Sequence, residues 1–220
     1  MKHIVFDLDG TLVDSLAGIA EGLNRALAAL GYPSHSAEEV RRMVGRGARV
    51  LCSMALGIPP EEGELPGNRI VDELQSAFQQ EYIHTWKTGT RPYPGISSLL
   101  ERLADGGAKL AVLSNKPHPV TVPLVRELFP SIPFDPVYGF SRRFPRKPDP
   151  ASLLHIAAGW GVNPGQVCLV GDSLHDARTA YNAGAQLLLV GWGYGQPASF
   201  SEQALCPCET VEKLGLLLED

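Results

Sequence analysis

Apolar and polar positions along the chain follow two alternating patterns. Short runs of apolar residues are separated by longer segments in which apolar residues recur with the period of a helix. This alternation is typical of a parallel sheet covered by helices on both faces. It predicts a three-layer α/β fold with a Rossmann-like parallel sheet, whose strands include Ile4 to Phe6, Leu110 to Leu113, Val167 to Val170 and Leu187 to Val190.

The interval between the first two predicted strands is much longer than a parallel crossover needs. About 100 residues separate Phe6 from Leu110, whereas a crossover of about a dozen residues is enough. Most of the interval has helical periodicity, in residues 15–30, 50–56 and 70–86 and in a further segment that opens with a capping box at Ser36. A Pro- and Gly-rich break lies at 57–67. We therefore expect an all-helical cap domain at residues 16–88, inserted into a core domain made of residues 1–15 and 89–220.

Composition and charge narrow the class of protein. The 220 residues are 44% hydrophobic and 20% charged, as in an ordinary folded chain, and the net charge is −5. No basic run suited to nucleic-acid phosphates occurs, and no apolar run approaches the roughly 18 residues of a membrane span. The cysteines are scattered, and Cys206 and Cys208 lack the further ligands of a zinc site. We expect a cytoplasmic protein that binds neither nucleic acid nor membranes.

Candidate chemistry follows three of the predicted strands. Polar clusters begin at Asp7, Ser114 and Gly171, and the carboxyl ends of parallel strands meet at one edge of a sheet. Asp7 and Asp9 are two residues apart, so in an extended backbone their side chains project to the same side. Such a pair can divide into a nucleophile and a proton donor, although it also fits a turn or a helix cap. A calcium loop is excluded, because its twelfth position would be Gly18 rather than Glu.

Four segments in order resemble the motifs of the haloacid-dehalogenase superfamily, and within it the phosphoglycolate-phosphatase-like branch with a helical cap. The matching segments are Asp7–Asp14, Ser114–Pro117, Lys147–Pro150 and Gly171–Asp176. The resemblance covers the whole chain. It implies the haloacid-dehalogenase fold and Mg²⁺-dependent hydrolysis of a small phosphorylated metabolite through an aspartyl-phosphate.

The resemblance also implies a role for each matching residue. Asp7 would be the nucleophile and Asp9 the general acid and base. Mg²⁺ would be held by Asp7, the backbone carbonyl of Asp9 and Asp172, with Asp176 in support. The expected substrate-binding residues are Thr11, Ser114, Asn115, Lys147 and Arg46. From the residues alone, Ser114, Asp172 and Asp176 also fit helix caps, and Lys147 also fits a solvated loop.

The choice of substrate is less constrained. Asp9 favours phosphate esters, since haloacid dehalogenases and phosphonatases of this superfamily lack an Asp there. Arg46 or Arg49, in a loop similar to the substrate loop of phosphoglycolate-phosphatase-like caps, could bind a substrate carboxylate or could be a solvated arginine at a helix start. Arg142, Arg143 and Arg146 could attract anionic substrates or could be surface charges. A sugar-phosphate, nucleotide or pyrophosphate phosphatase, a phosphomutase and a non-catalytic binding protein stay open, as does the choice between monomer and homodimer.

Overall fold

The computed structural model describes residues 1–65, 67–195 and 207–219. Five strands form one parallel sheet in the order β5–β4–β1–β6–β7, and two short strands, β2 and β3, form a separate two-stranded sheet. The strands are β1 (His3–Phe6), β2 (Val13–Asp14), β3 (Arg91–Pro92), β4 (Lys109–Pro117), β5 (Phe134–Phe140), β6 (Cys168–Gly171) and β7 (Gln186–Leu189).

Ten described helices accompany these strands. They are α1 (Leu16–Ala29), α2 (Ala37–Met43), α3 (Ala48–Ala55), α4 (Pro60–Glu64), α5 (Arg69–Gly89), α6 (Ile96–Asp105), α7 (His118–Leu128), α8 (Ala151–Trp160), α9 (Leu174–Ala183) and α10 (Val211–Glu219). No helix in the described parts of the chain has the length and apolar character that a membrane crossing requires. The break predicted at 57–67 contains one short helix, α4, which starts at a proline in the position where helices tolerate it.

The central strands of the sheet are buried on both faces, which explains why they appear in the sequence as unbroken apolar runs. On one face, Val5, Leu113 and Leu169 pack with Leu153 of α8 and Ala180 of α9. Their neighbours along the strands, which point to the opposite face, are also fully covered: Ile4, Phe6, Leu110 and Val112. The α/β class predicted from the sequence is therefore confirmed, and all four predicted strands are present.

The sheet differs from the prediction at two places. The edge strand β5 was not predicted, because it contains Asp135, Pro136 and Gly139, residues that strand interiors disfavour. A proline is tolerated there because an edge strand leaves one row of backbone groups unpaired. The second difference is that β4 continues beyond Leu113 to Pro117, so the polar segment after Leu113 is part of the strand and is buried.

The chain divides into two compact units. The sheet unit consists of Met1–Val13 and Pro92–Asp220, and the helical unit is Asp14–Arg91. Inside the helical unit, α1 packs along α5, and the Thr85 hydroxyl donates to the carbonyl of Gly18 at 2.8 Å. The capping box predicted at Ser36 is present, with Glu39 as its partner at the start of α2.

Candidate active site

Three acidic side chains converge at the carboxyl edge of the parallel sheet. Asp7 follows the central strand β1, and Asp172 follows its neighbour β6. The Asp7 amide still donates to the carbonyl of Val170 at 2.8 Å, so the two strand ends are joined beyond the last paired residues. Asp176 lies in the first turn of α9. Each of the three acids brings a carboxylate oxygen to within 4.8 Å of the other two, and all three side chains are buried.

Lys147 places its ammonium inside this acidic group. Its Nζ lies 2.7 Å from an oxygen of Asp7 and donates to an oxygen of Asp176 at 2.5 Å. The backbone of Lys147 is fixed by the Asn115 side chain, which accepts from its N–H at 2.7 Å and donates to its carbonyl at 3.2 Å. The solvated loop lysine considered from the sequence is wrong, since the Lys147 side chain is only 2% exposed.

Asp176 joins the helix terminus to the ion cluster. Its second carboxylate oxygen accepts from the N–H of Ser173 at 3.0 Å and from the Ser173 hydroxyl at 2.6 Å, which forms a capping box at the start of α9. Since its first oxygen accepts from Lys147, both oxygens of Asp176 have protein donors. Asp176 therefore caps α9 with one oxygen and pairs with Lys147 through the other, so the start of α9 is joined to the Lys147 ammonium.

Two glycines leave room for the carboxylate of Asp172. One of its oxygens accepts from the N–H of Tyr194 at 2.6 Å. A Cβ at Gly193 would lie 2.3 Å from that oxygen, and a Cβ at Gly10 would lie 2.2 Å from it. Gly10 also has a φ of +86°, which favours glycine. The loop at 191–195 thus supplies a hydrogen-bond donor to one of the acids of the cluster.

Lys116 lies in the second motif, Ser114–Pro117, but the sequence did not predict it as a site residue. Its ammonium donates to both carboxylate oxygens of Asp9 at 2.9 Å. Lys116 is buried inside β4, and its side chain is 5% exposed against 14% for Asp9. The available signal was its position in the polar segment after Leu113, because a polar segment that continues a buried strand places its side chains at the sheet edge.

Two hydroxyl side chains lie buried in the same unit. Ser114 accepts from the N–H of Lys116 at 3.2 Å, and it does not cap α7, whose N-cap residue is Pro117. The hydroxyl of Thr11 is fully buried and has no hydrogen-bond partner among the described residues. The backbone carbonyl of Thr11 accepts from the indole N–H of Trp192 at 3.2 Å. A buried hydroxyl without a partner is uncommon, and a ligand oxygen would satisfy it.

The electrostatics of the cluster show an excess of negative charge. Burial raises the pKa of Asp7 well above its ordinary range, and the charges of Asp176 and Asp172 raise it further against the opposing effect of Lys147. Burial also raises the pKa of Asp172 to about 7, with Asp176 as the next cause. Burial alone would lower the pKa of Lys147, but the charges and hydrogen bonds of Asp176 and Asp7 outweigh it and raise that pKa above its ordinary value.

This donor set is suited to a small divalent cation. Three buried carboxylates share the single ammonium of Lys147, and like charges at this distance oppose ionisation unless a cation lies between them. Carboxylate oxygens are the protein ligands that hard cations such as Mg²⁺ prefer. The structure therefore contains an acidic group that could hold a metal ion.

Arg46 and Arg49, considered from the sequence as ligands of a substrate carboxylate, belong to the helical unit. Arg49 pairs with Asp72 and donates to the carbonyl of Leu65 at 2.8 Å, all within the helical unit. Arg46 lies 3.9 Å from Glu61 in the same unit.

In the sheet unit, the guanidinium of Arg143 lies over the Phe144 ring, at 5.4 Å from its centroid. The guanidinium of Arg146 lies over Phe140, at 4.2 Å. Cys206 falls outside the described residues, and its partner in the sequence, Cys208, is buried.

Comparison with known proteins gives a consistent picture. The family model of haloacid dehalogenase-like hydrolases matches residues 4–190, so the resemblance stated from the four motifs is confirmed. The phosphoglycolate phosphatase of Psychrobacter arcticus is 33% identical over 98% of this chain and 94% of its own length.

Solved structures agree with the same family. A predicted phosphoglycolate phosphatase from Haemophilus somnus is 28% identical with a TM-score of 0.84, and the match covers 99% of this chain and 98% of that one. A protein from Lactobacillus delbrueckii subsp. bulgaricus is 29% identical with a TM-score of 0.89 and the same coverage of both chains, 99% and 98%.

Proposed function

Because this chain belongs to the haloacid dehalogenase-like hydrolase family, we propose that it is a Mg²⁺-dependent phosphatase of small phosphate monoesters, with phosphoglycolate-like substrates preferred. The observation that carries the proposal is the buried cluster in which Lys147 joins Asp7 to Asp176 beside Asp172. A protein that only bound a phosphorylated ligand would not need Asp7 and Asp9 as a nucleophile and a proton donor. The names of the relatives support phosphate-ester chemistry.

In the proposed reaction, Asp7 is the nucleophile and Asp9 the general acid and base. A carboxylate oxygen of Asp7 attacks phosphorus as the P–O ester bond breaks, and the departing alkoxide takes a proton from Asp9. Water then attacks phosphorus of the aspartyl-phosphate, its proton passes to Asp9, and the Asp7–phosphorus bond breaks. Asp7, Asp9 and the water therefore return to the states from which a new turnover can begin.

Charge neutralisation is the central requirement of this reaction. A phosphate monoester carries about −1.5 to −2 charges at neutral pH, so an anionic nucleophile approaches it only when cations screen both. Lys147 supplies one compact positive charge that is already in contact with Asp7. A bound Mg²⁺, held by Asp7, Asp172 and the backbone carbonyl of Asp9 with Asp176 in support, would supply the remaining positive charge.

The hydroxyl and amide groups at the strand ends are proposed to hold the phosphoryl oxygens. Ser114 is buried at the end of β4, and the Thr11 hydroxyl is buried with no partner among the described residues. Asn115 is proposed as a further donor in addition to its contacts with the Lys147 backbone. These groups would bind a tetrahedral phosphoryl group without adding charge.

Substrate choice is proposed to depend on the helical unit acting as a cap. Of the two arginines in its glycine-containing loop, Arg49 pairs closely with Asp72, whereas Arg46 lies 3.9 Å from a well-exposed Glu61. Arg46, the substrate-binding arginine expected from the sequence, is proposed to bind the carboxylate of phosphoglycolate. An arginine presents a planar fork that matches a carboxylate.

The test is phosphate release, with and without Mg²⁺, from a panel of phosphoglycolate, sugar phosphates, nucleotides, pyrophosphate and an aryl phosphate. Asp7→Asn should abolish release, while Asp105→Asn, the same change at an exposed acid in α6, should leave it intact. Arg46→Met should raise KM for phosphoglycolate and leave KM for the aryl phosphate unchanged.

Each outcome of the panel has a distinct meaning. Preference for phosphoglycolate that is lost in Asp7→Asn supports the full proposal. Activity on other esters alone would support the proposed mechanism with a different substrate. Phosphoryl transfer to a sugar phosphate in place of water would indicate a phosphomutase. If the folded protein releases phosphate from no member of the panel, the phosphatase proposal is overturned.

A further inference from the structure

The ion pair between Lys116 and Asp9 has no role in the reaction as described so far. The Lys116 ammonium donates to both carboxylate oxygens of Asp9 at equal distances of 2.9 Å. Both side chains are largely removed from solvent, at 5% and 14% exposure. Burying an ammonium costs several kcal/mol in desolvation, so a lysine in this position needs a specific partner.

The backbone under Lys116 is well supported. Lys116 lies near the end of β4, where its N–H donates to the Ser114 hydroxyl at 3.2 Å and its carbonyl accepts from the Thr121 hydroxyl at 3.1 Å. Asp9 lies in the turn after β1 and forms an isolated bridge with Val13. The ion pair therefore connects the Asp9 side chain to strand β4, which carries Lys116.

Equal contacts to both oxygens fix an orientation. The terminal torsion of an aspartate is broad, so without a partner the plane of the carboxyl group turns freely. An ammonium placed symmetrically between the two oxygens limits that rotation. Lys147 instead contacts one oxygen of Asp7 and one oxygen of Asp176, so the two buried lysines pair with different acids.

We propose that Lys116 is a positioning residue: it orients the carboxyl group of Asp9 and stabilises the carboxylate that forms as Asp9 gives its proton to the leaving group. The proposal rests on the function proposed above, in which Asp9 is the general acid. It differs from direct substrate binding, in which Lys116 would contact the phosphate or another anion of the substrate itself. The two roles predict different responses to the chemistry of the leaving group.

A general acid matters most when the leaving group is a poor one. An alkyl phosphate such as phosphoglycolate releases a strongly basic alkoxide, whereas 4-nitrophenyl phosphate releases a stable phenolate that needs no proton. General acid catalysis typically contributes about 10²–10⁴-fold. A misoriented Asp9 should therefore slow the alkyl ester far more than the aryl ester.

The experiment measures kcat/KM, which reports the step that releases the leaving group, on both esters. Lys116→Met should lower kcat/KM by about 10–100-fold on phosphoglycolate and by less than about 3-fold on the aryl ester, since only part of the general-acid contribution is lost. Asp9→Asn should show the same bias more strongly. The double variant should be no slower than Asp9→Asn, because Lys116 acts only through Asp9.

Two further variants keep the experiment interpretable. Lys109→Met makes the same change at an exposed lysine on the same strand and should leave both rates unchanged. Lys116→Arg retains the positive charge and should restore part of the alkyl rate. Thermal unfolding checks that each variant is folded, and Lys116→Gln, which keeps a donor, replaces Lys116→Met if the latter does not fold.

Several results would overturn the proposal. Equal losses on both esters that multiply with those of Asp9→Asn would show that Lys116 contacts the substrate. Unchanged rates in folded Lys116→Met would show a purely structural ion pair. If wild type hydrolyses neither ester, the proposed function itself fails; if wild type turns over and Lys116→Met keeps the wild-type ratio of alkyl to aryl rates, only the role of Lys116 fails.

Discussion

Replacing Lys147 by methionine removes one charge from the centre of the buried cluster and keeps most of the side-chain volume. The Lys147 ammonium contacts Asp7 at 2.7 Å and Asp176 at 2.5 Å, and its side chain is 2% exposed. The backbone contacts of residue 147 run through Asn115 and do not use the lysine side chain. The substitution therefore isolates the electrostatic contribution of Lys147 from the folding of its loop.

The expected cost is large because two buried carboxylates lose their shared partner. Removing one member of a buried ion pair typically costs about 3–5 kcal/mol, so we expect the free energy of unfolding to fall by about 4 kcal/mol at pH 8 in EDTA. With a urea m-value of about 2–3 kcal/mol per M, the midpoint of urea unfolding should fall by about 1.3–2 M. Phosphatase activity should be lost in the same variant.

The pH dependence of this cost has a definite sign. Burial already raises the pKa of Asp7, and loss of the lysine charge raises it further. An acid whose pKa is higher in the folded state than in the unfolded state loses stability as the pH rises. The deficit of Lys147→Met should therefore be greatest at pH 8 and should shrink toward pH 5, where protonation removes the uncompensated charges.

Urea unfolding followed by circular dichroism at pH 5 and pH 8 tests this reasoning. Lys109→Met, at an exposed lysine, is the matched control and should change the unfolding free energy by less than about 0.5 kcal/mol. A Lys147→Met protein as stable as wild type at pH 8, or one whose deficit grows toward pH 5, would show that the lysine does not neutralise these carboxylates in the way described.

Two further predictions concern Asp172. Gly193→Ala would place a Cβ 2.3 Å from the Asp172 carboxylate, so Mg²⁺ affinity measured by calorimetry should fall at least about 10-fold. The control is Gly191→Ala, whose Cβ would meet nothing closer than 3.5 Å and which should bind Mg²⁺ with wild-type affinity. Equal affinities would refute the steric argument. Because the pKa of Asp172 is raised to about 7 without metal, Mg²⁺ must displace a proton at low pH, and the rise in Tm on adding Mg²⁺ should be larger at pH 8 than at pH 5.5. A rise in Tm that does not depend on pH would contradict this prediction. Asp172→Asn should remove most of the difference between the two pH values.

The sheet and the position of the acids could be predicted from the sequence because each depends on a local pattern. A central parallel strand is buried on both faces and therefore appears as an apolar run, and the polar residue that ends the run lies at the carboxyl edge of the sheet. Asp7 and Asp172 were found in this way. The edge strand β5 was missed because only one side of it is paired, which relaxes the demand for apolar, β-favouring residues.

The contacts that organise the site depend on which strands are neighbours, and no local pattern contains that information. Lys116 and Asp9 are 107 positions apart, and their ion pair exists because β4 lies beside β1 in the sheet. The Tyr194 N–H reaches Asp172 from beyond β7 for the same kind of reason. Spacing within a motif identifies the acids, but the order of the strands decides which lysine serves which acid. In this fold Lys116 pairs with Asp9 and Lys147 pairs with Asp7, so substitutions at the two lysines should separate proton transfer by Asp9 from charge neutralisation at Asp7.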